Sequence, residues 1–183
     1  MSPSAPCSTR QRPAEAVDAT AFKDLFRRHP AGVAIVTLEG PDGPVGFTAT
    51  SVISVSAEPA YLAFSIAQAS SSYGALATAS SAVVSFLAQD QAELSVRFAT
   101  SGIDRFADQH VAYLPTGEPR LADVDSWARI ELTERVTAGS SLLVVGRVTD
   151  LVDDGAADPG APARLVYVDR TYHRADAASQ IAP

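Results

Sequence analysis

Residues 46–73 constrain this chain more than any other stretch. They read Gly-Phe-Thr-Ala-Thr-Ser-Val-Ile-Ser-Val-Ser-Ala-Glu-Pro-Ala-Tyr-Leu-Ala-Phe-Ser-Ile-Ala-Gln-Ala-Ser-Ser-Ser-Tyr. Thr48, Thr50, Ser51, Ser54 and Ser56 are interleaved with Val52, Ile53 and Val55, and this β-branched run predicts a strand over 45–56. Glu58-Pro59 ends it, an apolar strand follows over 61–66, and Ser70-Ser71-Ser72 opens a small-residue helix over 72–79. Two hydroxyl-bearing edges therefore flank one buried strand. That layout suits a flat polar ligand carrying a phosphate, because hydroxyls hydrogen-bond a ring edge and a helix N-terminus attracts an anion. A plainer reading stands beside it: hydroxyls alternate on the solvent face of ordinary antiparallel strands, and serine is a common helix N-cap.

The rest of the chain reads mainly as strands. Asp18 or Thr20 can cap a helix with Phe22, Leu25 and Phe26 at i, i+3 and i+4, ended by Pro30. A β-branched strand over 33–38 turns at Glu39-Gly-Pro-Asp-Gly. A buried strand is expected over 82–87, a helix over 90–99 with Leu94 and Phe98 on one face, and a looser stretch over 102–119. Residues 127–137 and 142–151 form a long antiparallel pair about Ala138-Gly139. An acidic, Gly/Pro/Ala-rich loop spans 153–162, and 165–168 with Tyr172 closes the domain. Many short strands with few helices predict a mainly β fold, a closed barrel with a few peripheral helices. With 183 residues there is room for one domain, expected over 19–174 between a disordered tail at 1–18 and a mobile one at 175–183.

Composition narrows the function. The net charge is −7, which argues against nucleic-acid binding, since that leaves a basic footprint. The single cysteine, Cys7, has no partner within the chain, so a reducing compartment is expected. No apolar run reaches the roughly 18 residues that span a bilayer, and the leader lacks the apolar middle of a secretory signal, so a cytoplasmic protein is expected. His29, His110 and His173 are scattered without cysteine partners, and no metal site is expected. The nucleophile elbow, the phosphate loop and the Gly-x-Gly-x-x-Gly fingerprint are all missing, so no catalytic side chain is nominated.

Several segments in order resemble the flavin reductase family. Phe26-Arg-Arg-His-Pro-Ala-Gly-Val-Ala-Ile-Val-Thr is similar to its opening helix and strand, and Gly46-Phe-Thr-Ala-Thr-Ser-Val-Ile-Ser-Val-Ser-Ala-Glu-Pro to its flavin strand. Val83-Val-Ser-Phe-Leu-Ala-Gln-Asp-Gln, then Leu94-Ser-Val-Arg-Phe-Ala, resemble its next strand and helix. Leu143-Val-Val-Gly-Arg-Val and residues 167–174 resemble its last strands, so the likeness runs from Ala21 to Arg174.

The resemblance implies an FMN-binding split β-barrel of Greek-key-like order, usually a homodimer. It implies reduction of FMN or FAD by NADH or NADPH, with reduced flavin passed to a partner monooxygenase. Carried over by position, the flavin contacts would be Thr48, Ala49, Thr50, Ser51, Val52, Ser54, Val55, Ala69, Ser70, Ser71, Arg97 and Phe98. Arg97 would neutralise the phosphate. The nicotinamide side would involve Tyr172, His173 and the turn at 139–142. That turn reads Gly-Ser-Ser-Leu where the family often has Gly-Asp-His-Thr, so Ser141 stands in place of a histidine. Ser85 likewise stands where many relatives carry Asn. The changed turn keeps two other readings open: a flavoprotein that carries electrons or senses redox state without reducing flavin, and a reductase with another hydride donor such as a deazaflavin.

Overall fold

The computed structural model describes residues 17–153 and 160–181. The expected N-terminal tail, Cys7 included, falls almost wholly outside these residues, as does most of the acidic loop. The elements run α1 (Ala19–Arg27), β1 (Ala31–Gly32), β2 (Ala34–Gly40), β3 (Gly43–Ala49), β4 (Ile53–Ala57), β5 (Ala60–Ala67), α2 (Tyr73–Thr78), β6 (Ser81–Phe86) and α3 (Ala92–Ala99). Then come β7 (Val111–Tyr113), β8 (Pro119–Leu121), β9 (Ser126–Ala138), β10 (Ser141–Asp153), β11 (Arg164–Val168), β12 (Thr171–Ala175) and a 3-10 turn at Ala177–Ser179. The expected mainly β fold with a few peripheral helices is what forms. Asp18, not Thr20, caps α1, its carboxylate accepting from the Thr20 and Ala21 amides.

Seven strands make one antiparallel sheet in the order β3-β2-β6-β9-β10-β5-β4. Its two edges, β3 and β4, are consecutive in sequence and joined only by residues 50–52. The four Cα steps from Ala49 to Ile53 reach at most roughly 14 Å, so the sheet has to curl until its edges meet. This corrects the single strand expected over 45–56. Its first half pairs with β2 (Thr48 opposite Ile35), and its second half with β5 (Ile53 opposite Ala63). A hydrophobicity pattern reports which residues can be extended, not which neighbour each will pair with. Residues 50–52 change partners and so stand outside both ladders, a corner at the split of the barrel.

Two apolar clusters hold the fold, one on each face of β2. Ala34, Val36 and Leu38 face the barrel interior with Phe64, Ile130 and Val144. Ile35 faces outward, and there Val33, Leu87, Phe98, Leu121, Val124 and Leu165 cover it. Strand β2 is thus buried on both faces from Ala34 to Leu38, which explains why that stretch is apolar at every position but one. Thr37, the polar member, donates its hydroxyl to the Pro119 carbonyl at 2.5 Å. Gly46 is obligatory beneath the second cluster: a Cβ there would lie 2.6 Å from Phe98 Cε1 and 3.1 Å from Phe106 Cζ.

Ser85 lies opposite Ile35 and Trp127, wholly buried, and its Oγ has no hydrogen-bond partner among the described residues. A buried hydroxyl without a partner carries its desolvation cost uncompensated. Ser85→Ala should therefore raise the unfolding free energy by about 1 kcal/mol in a denaturant melt. A decrease would mean that the hydroxyl has a partner, such as an ordered water.

Candidate functional site

The corner opens into a cavity of about 550 Å³, lined by Thr50, Ser51, Val52 and Ile53 on one side and by His29, Pro30, Gly32, Tyr167 and Arg170 on the other. Its far wall is built by the segment after α1, which is anchored to the β11–β12 turn. There the Arg27 carbonyl accepts from the Asp169 amide at 2.7 Å, and the Arg27 guanidinium pairs with the Asp169 carboxylate at 2.9 Å. A second cavity of about 410 Å³ shares Gly32 and Val52 with the first. The two are lobes of one cleft, and a Cβ on Gly32 would meet nothing within 4 Å.

The hydroxyls nominated from sequence separate into two groups. Ser51 Oγ donates to the Ser65 carbonyl (3.2 Å) and accepts from the Ser65 amide (2.9 Å), so it pins the corner to β5 as a strand neighbour would. Thr48 Oγ1 donates to the Ser95 carbonyl of α3 at 2.6 Å. Both are committed within the fold. Thr50, Ser54 and Ser71 are exposed and make no side-chain hydrogen bond among the described residues. Ser54 and Val55 lie on the exposed edge strand β4, where a bulge between Ser54 and Ser56 breaks the pairing with β5. Ala49 is only 4% exposed, so its side chain belongs to the core.

Ala69, Ser70 and Ser71 form the turn into α2. Ser70 Oγ accepts from the Ser72 amide at 3.3 Å. Ser72 occupies the N-cap position but does not cap α2 with its side chain; it donates to the Gly46 carbonyl at 3.3 Å. The guanidinium beside it belongs to Arg105, whose Nη1 donates to Ser72 Oγ (3.0 Å) and the Gly46 carbonyl (2.8 Å). Burial lowers the Arg105 pKa from its ordinary value.

One nominated contact, Phe98, needs correcting, while Arg97 is partly engaged within the fold. Arg97 uses Nε and Nη2 to hold the carbonyls of Asp104, Arg105 and Ala107. Its described role is to fix the loop that delivers Arg105. Phe98 is wholly buried, with its ring edge-on to Phe106 at 5.1 Å, and cannot touch a ligand in this conformation. Phe98 thus lies on the inward face of α3, whereas Arg97 stays partly exposed.

The residues expected on the nicotinamide side are dispersed. Ser141 lies opposite Ala67, close to the Ala69 turn, where the Gln68 amide donates to the Ser140 carbonyl at 2.9 Å. Tyr172 turns its hydroxyl inward to Ser95 Oγ at 2.9 Å, and its ring packs on Tyr167 at 5.0 Å. His173 is exposed on a different and open surface, beside Gln89, Asp90 and Arg174. No hydrogen bond or ring contact joins Ser141 to Tyr172 or His173 among the described residues. Sequence reasoning missed His29, Tyr167 and Arg105. His29 lay in a quoted segment, but neither an isolated His nor a strand Tyr signals a cavity until the topology brings them opposite residues 50–52.

Comparisons with known proteins place the chain in a family. The chain is 46% identical over 154 residues, 84% of its length and 80% of the relative's, to an NADH:FMN oxidoreductase of Rhodococcus erythropolis. It is 37% identical over 140 residues, 76% of its length and 45% of the relative's, to the reductase component of a flavin-dependent trigonelline monooxygenase of Acinetobacter baylyi. The crystal structure of a flavin reductase domain protein from Arthrobacter sp. FB24 superposes with a TM-score of 0.77 at 35% identity, covering 86% of this chain and 95% of that one. The sequence profile of the flavin reductase like domain matches residues 26–176, a span that holds the corner, its cleft and both clusters, and on that match the chain belongs to the flavin reductase-like family.

Proposed function

We propose that this chain is an NAD(P)H-dependent flavin reductase that binds FMN or FAD at the barrel's corner. The observation that carries the reading is the bilobed cleft at residues 50–52, in a chain 46% identical to an NADH:FMN oxidoreductase. The residues there fit a flavin. The corner lies outside both ladders, and Thr50 carries an uncommitted hydroxyl beside the apolar walls of Val52, Pro30 and Tyr167, the mix a ring with one polar edge requires. The phosphate end would lie by Ser70 and Ser71, near the guanidinium of Arg105.

Once bound, the flavin supplies the redox chemistry by accepting a hydride from the nicotinamide. The chain's own residues bind and orient. Ser51 locks the corner to β5, Thr48 ties β3 to α3, and Val52 gives both lobes an apolar wall for the ring. No side chain is asked to move a proton. That agrees with His173 lying away from the corner. Thr50→Val should weaken FMN binding about tenfold by flavin-fluorescence titration, the value of one hydrogen bond to a polar ring edge. Unchanged affinity would remove the corner from the site.

The assembly and setting belong to the same reading. All nine residues of α1 are exposed, Phe22, Leu25 and Phe26 among them, and β4 exposes Ile53 and Val55. So much bare apolar surface beside one cleft supports a homodimer that covers it. Sedimentation should give twice the chain mass, and a monomer would contradict this. No helix among the described residues is long and apolar enough to cross a membrane, and we place the protein in the cytoplasm. Its reduced flavin would pass to a partner monooxygenase, a reading supported by the Acinetobacter relative being the reductase component of a flavin-dependent monooxygenase.

A further inference from the structure

The smaller lobe of the cleft has a construction that the flavin reading leaves unused. Its walls are apolar, with Val33, Val52, Phe86 and Leu165, and its polar groups are gathered at Ser126, Asp153 and Arg164. These three are bonded to one another. Ser126 Oγ, in a residue only 4% exposed, donates to Asp153 Oδ1 at 2.6 Å. Arg164 Nη2 donates to the same Oδ1 at 2.6 Å and to Ser126 Oγ at 2.7 Å, while its Nη1 reaches the Phe86 carbonyl at 3.3 Å. Every one of these bonds to Asp153 goes to Oδ1. Asp153 Oδ2 takes no hydrogen bond among the described residues.

We propose that this lobe binds a planar nitrogen heteroaromatic whose edge presents an amino donor beside an acceptor. Asp153 Oδ2 would take the amino proton, and Arg164 would donate to the neighbouring acceptor. The inference rests on the reductase reading, since the lobe adjoins the flavin corner through Gly32 and Val52. Two groups of one dinucleotide carry that edge: the carboxamide of nicotinamide and the N6/N1 edge of adenine. The Ser126 and Arg164 hydrogen bonds keep Asp153 an acceptor. The Ser126 bond is the stronger influence in holding its carboxyl below the ordinary range, against a smaller opposing effect of burial. An apolar lobe closed by a fixed acceptor and a guanidinium fork discriminates by the donor pattern of an edge, which bulk apolar contact cannot do. Ser126, Asp153 and Arg164 are then specificity-determining residues. None of the three was nominated from sequence, because they lie 27 and 11 residues apart along the chain.

The test is calorimetric titration of the flavin-loaded protein with three oxidised dinucleotides, which needs no turnover. These are NAD+, the analogue with a carboxylate in place of the carboxamide, and the analogue with hypoxanthine in place of adenine. NAD+ should bind at least about tenfold more tightly than one of the analogues. The analogue that is rejected identifies which ring occupies the lobe. Asp153→Asn should abolish that preference, because an amide can donate where the carboxylate only accepts. Arg164→Lys, which keeps the charge and loses the fork, should weaken NAD+ about tenfold or more. Equal affinity for all three dinucleotides in the parent protein, or a preference unchanged in Asp153→Asn, would overturn the assignment. A protein that binds NAD+ with the expected preference yet reduces no flavin would sink the reductase reading and leave the lobe intact.

Discussion

Phe98→Ala lowers the stability of the folded chain by about 3–5 kcal/mol, the usual cost of truncating a fully buried aromatic side chain. The ring is wholly buried and stands edge-on to Phe106. It also fills the space that Gly46 leaves open on β3, where even a Cβ would come within 2.6 Å of it. Removing it opens a cavity bounded by a sheet and a helix, neither of which can close on the other without moving Thr48 from the Ser95 carbonyl. A denaturant melt reads this directly. Phe98→Leu, which retains most of the volume, should cost much less and keep flavin affinity near that of the parent. If Phe98→Leu lost flavin binding at unchanged stability, the ring would be a ligand contact after all.

Glu118→Gln has a comparable effect for an electrostatic reason. Glu118 is 3% exposed, and Arg129 meets it with Nε at 3.0 Å and Nη2 at 2.7 Å. Thr116 donates to its other oxygen. Burial alone would raise the Glu118 carboxyl, but hydrogen bonds from Arg129, Ser81 and Thr116 outweigh it and hold the pKa at about 2. Breaking one side of such a pair leaves the Arg129 charge buried with weaker partners, which costs about 3–5 kcal/mol. The pH dependence follows in sign. The folded pKa lies below the ordinary carboxylate value near 4.3, so the stabilisation is complete above that value and is lost as the pH falls toward about 2. Acid melts of the parent should therefore show a loss of about 3 kcal/mol across that window. Glu118→Gln should flatten most of that loss, and an equally steep profile in the variant would move the titration to another carboxylate.

Much of the fold was legible in the residues. The i, i+3, i+4 pattern of Phe22, Leu25 and Phe26 placed α1, and the Ala138-Gly139 turn placed the β9–β10 hairpin, where Gly139 takes φ +59. Local period and turn chemistry are short-range signals, and these elements are decided at short range. The break at residues 50–52 is decided by long-range pairing instead: β3 has β2 for a neighbour and β4 has β5, at opposite edges of one sheet. For the same reason the hydroxyl run marked the right region without sorting its members. Thr48 and Ser51 face acceptors on α3 and β5, whereas Thr50 and Ser54 face none. Arg97 and Arg105 are alike in sequence, and only the loop's course decides which guanidinium reaches Ser72. The resemblance names Tyr172 and His173 together, yet adjacent residues on a strand point to opposite faces, and only Tyr172 turns inward here.

The reductase reading depends on whether a chain with Ser141 at its hairpin turn still takes hydride from a nicotinamide. Anaerobic mixing of the purified protein with FMN or FAD and then NADH or NADPH, followed at the oxidised flavin absorbance, answers this directly. The account predicts bleaching within seconds with at least one nucleotide, and none without protein. Persistent flavin colour with both nucleotides, in protein shown by titration to hold flavin, would contradict it and leave a flavoprotein that carries electrons from some other donor.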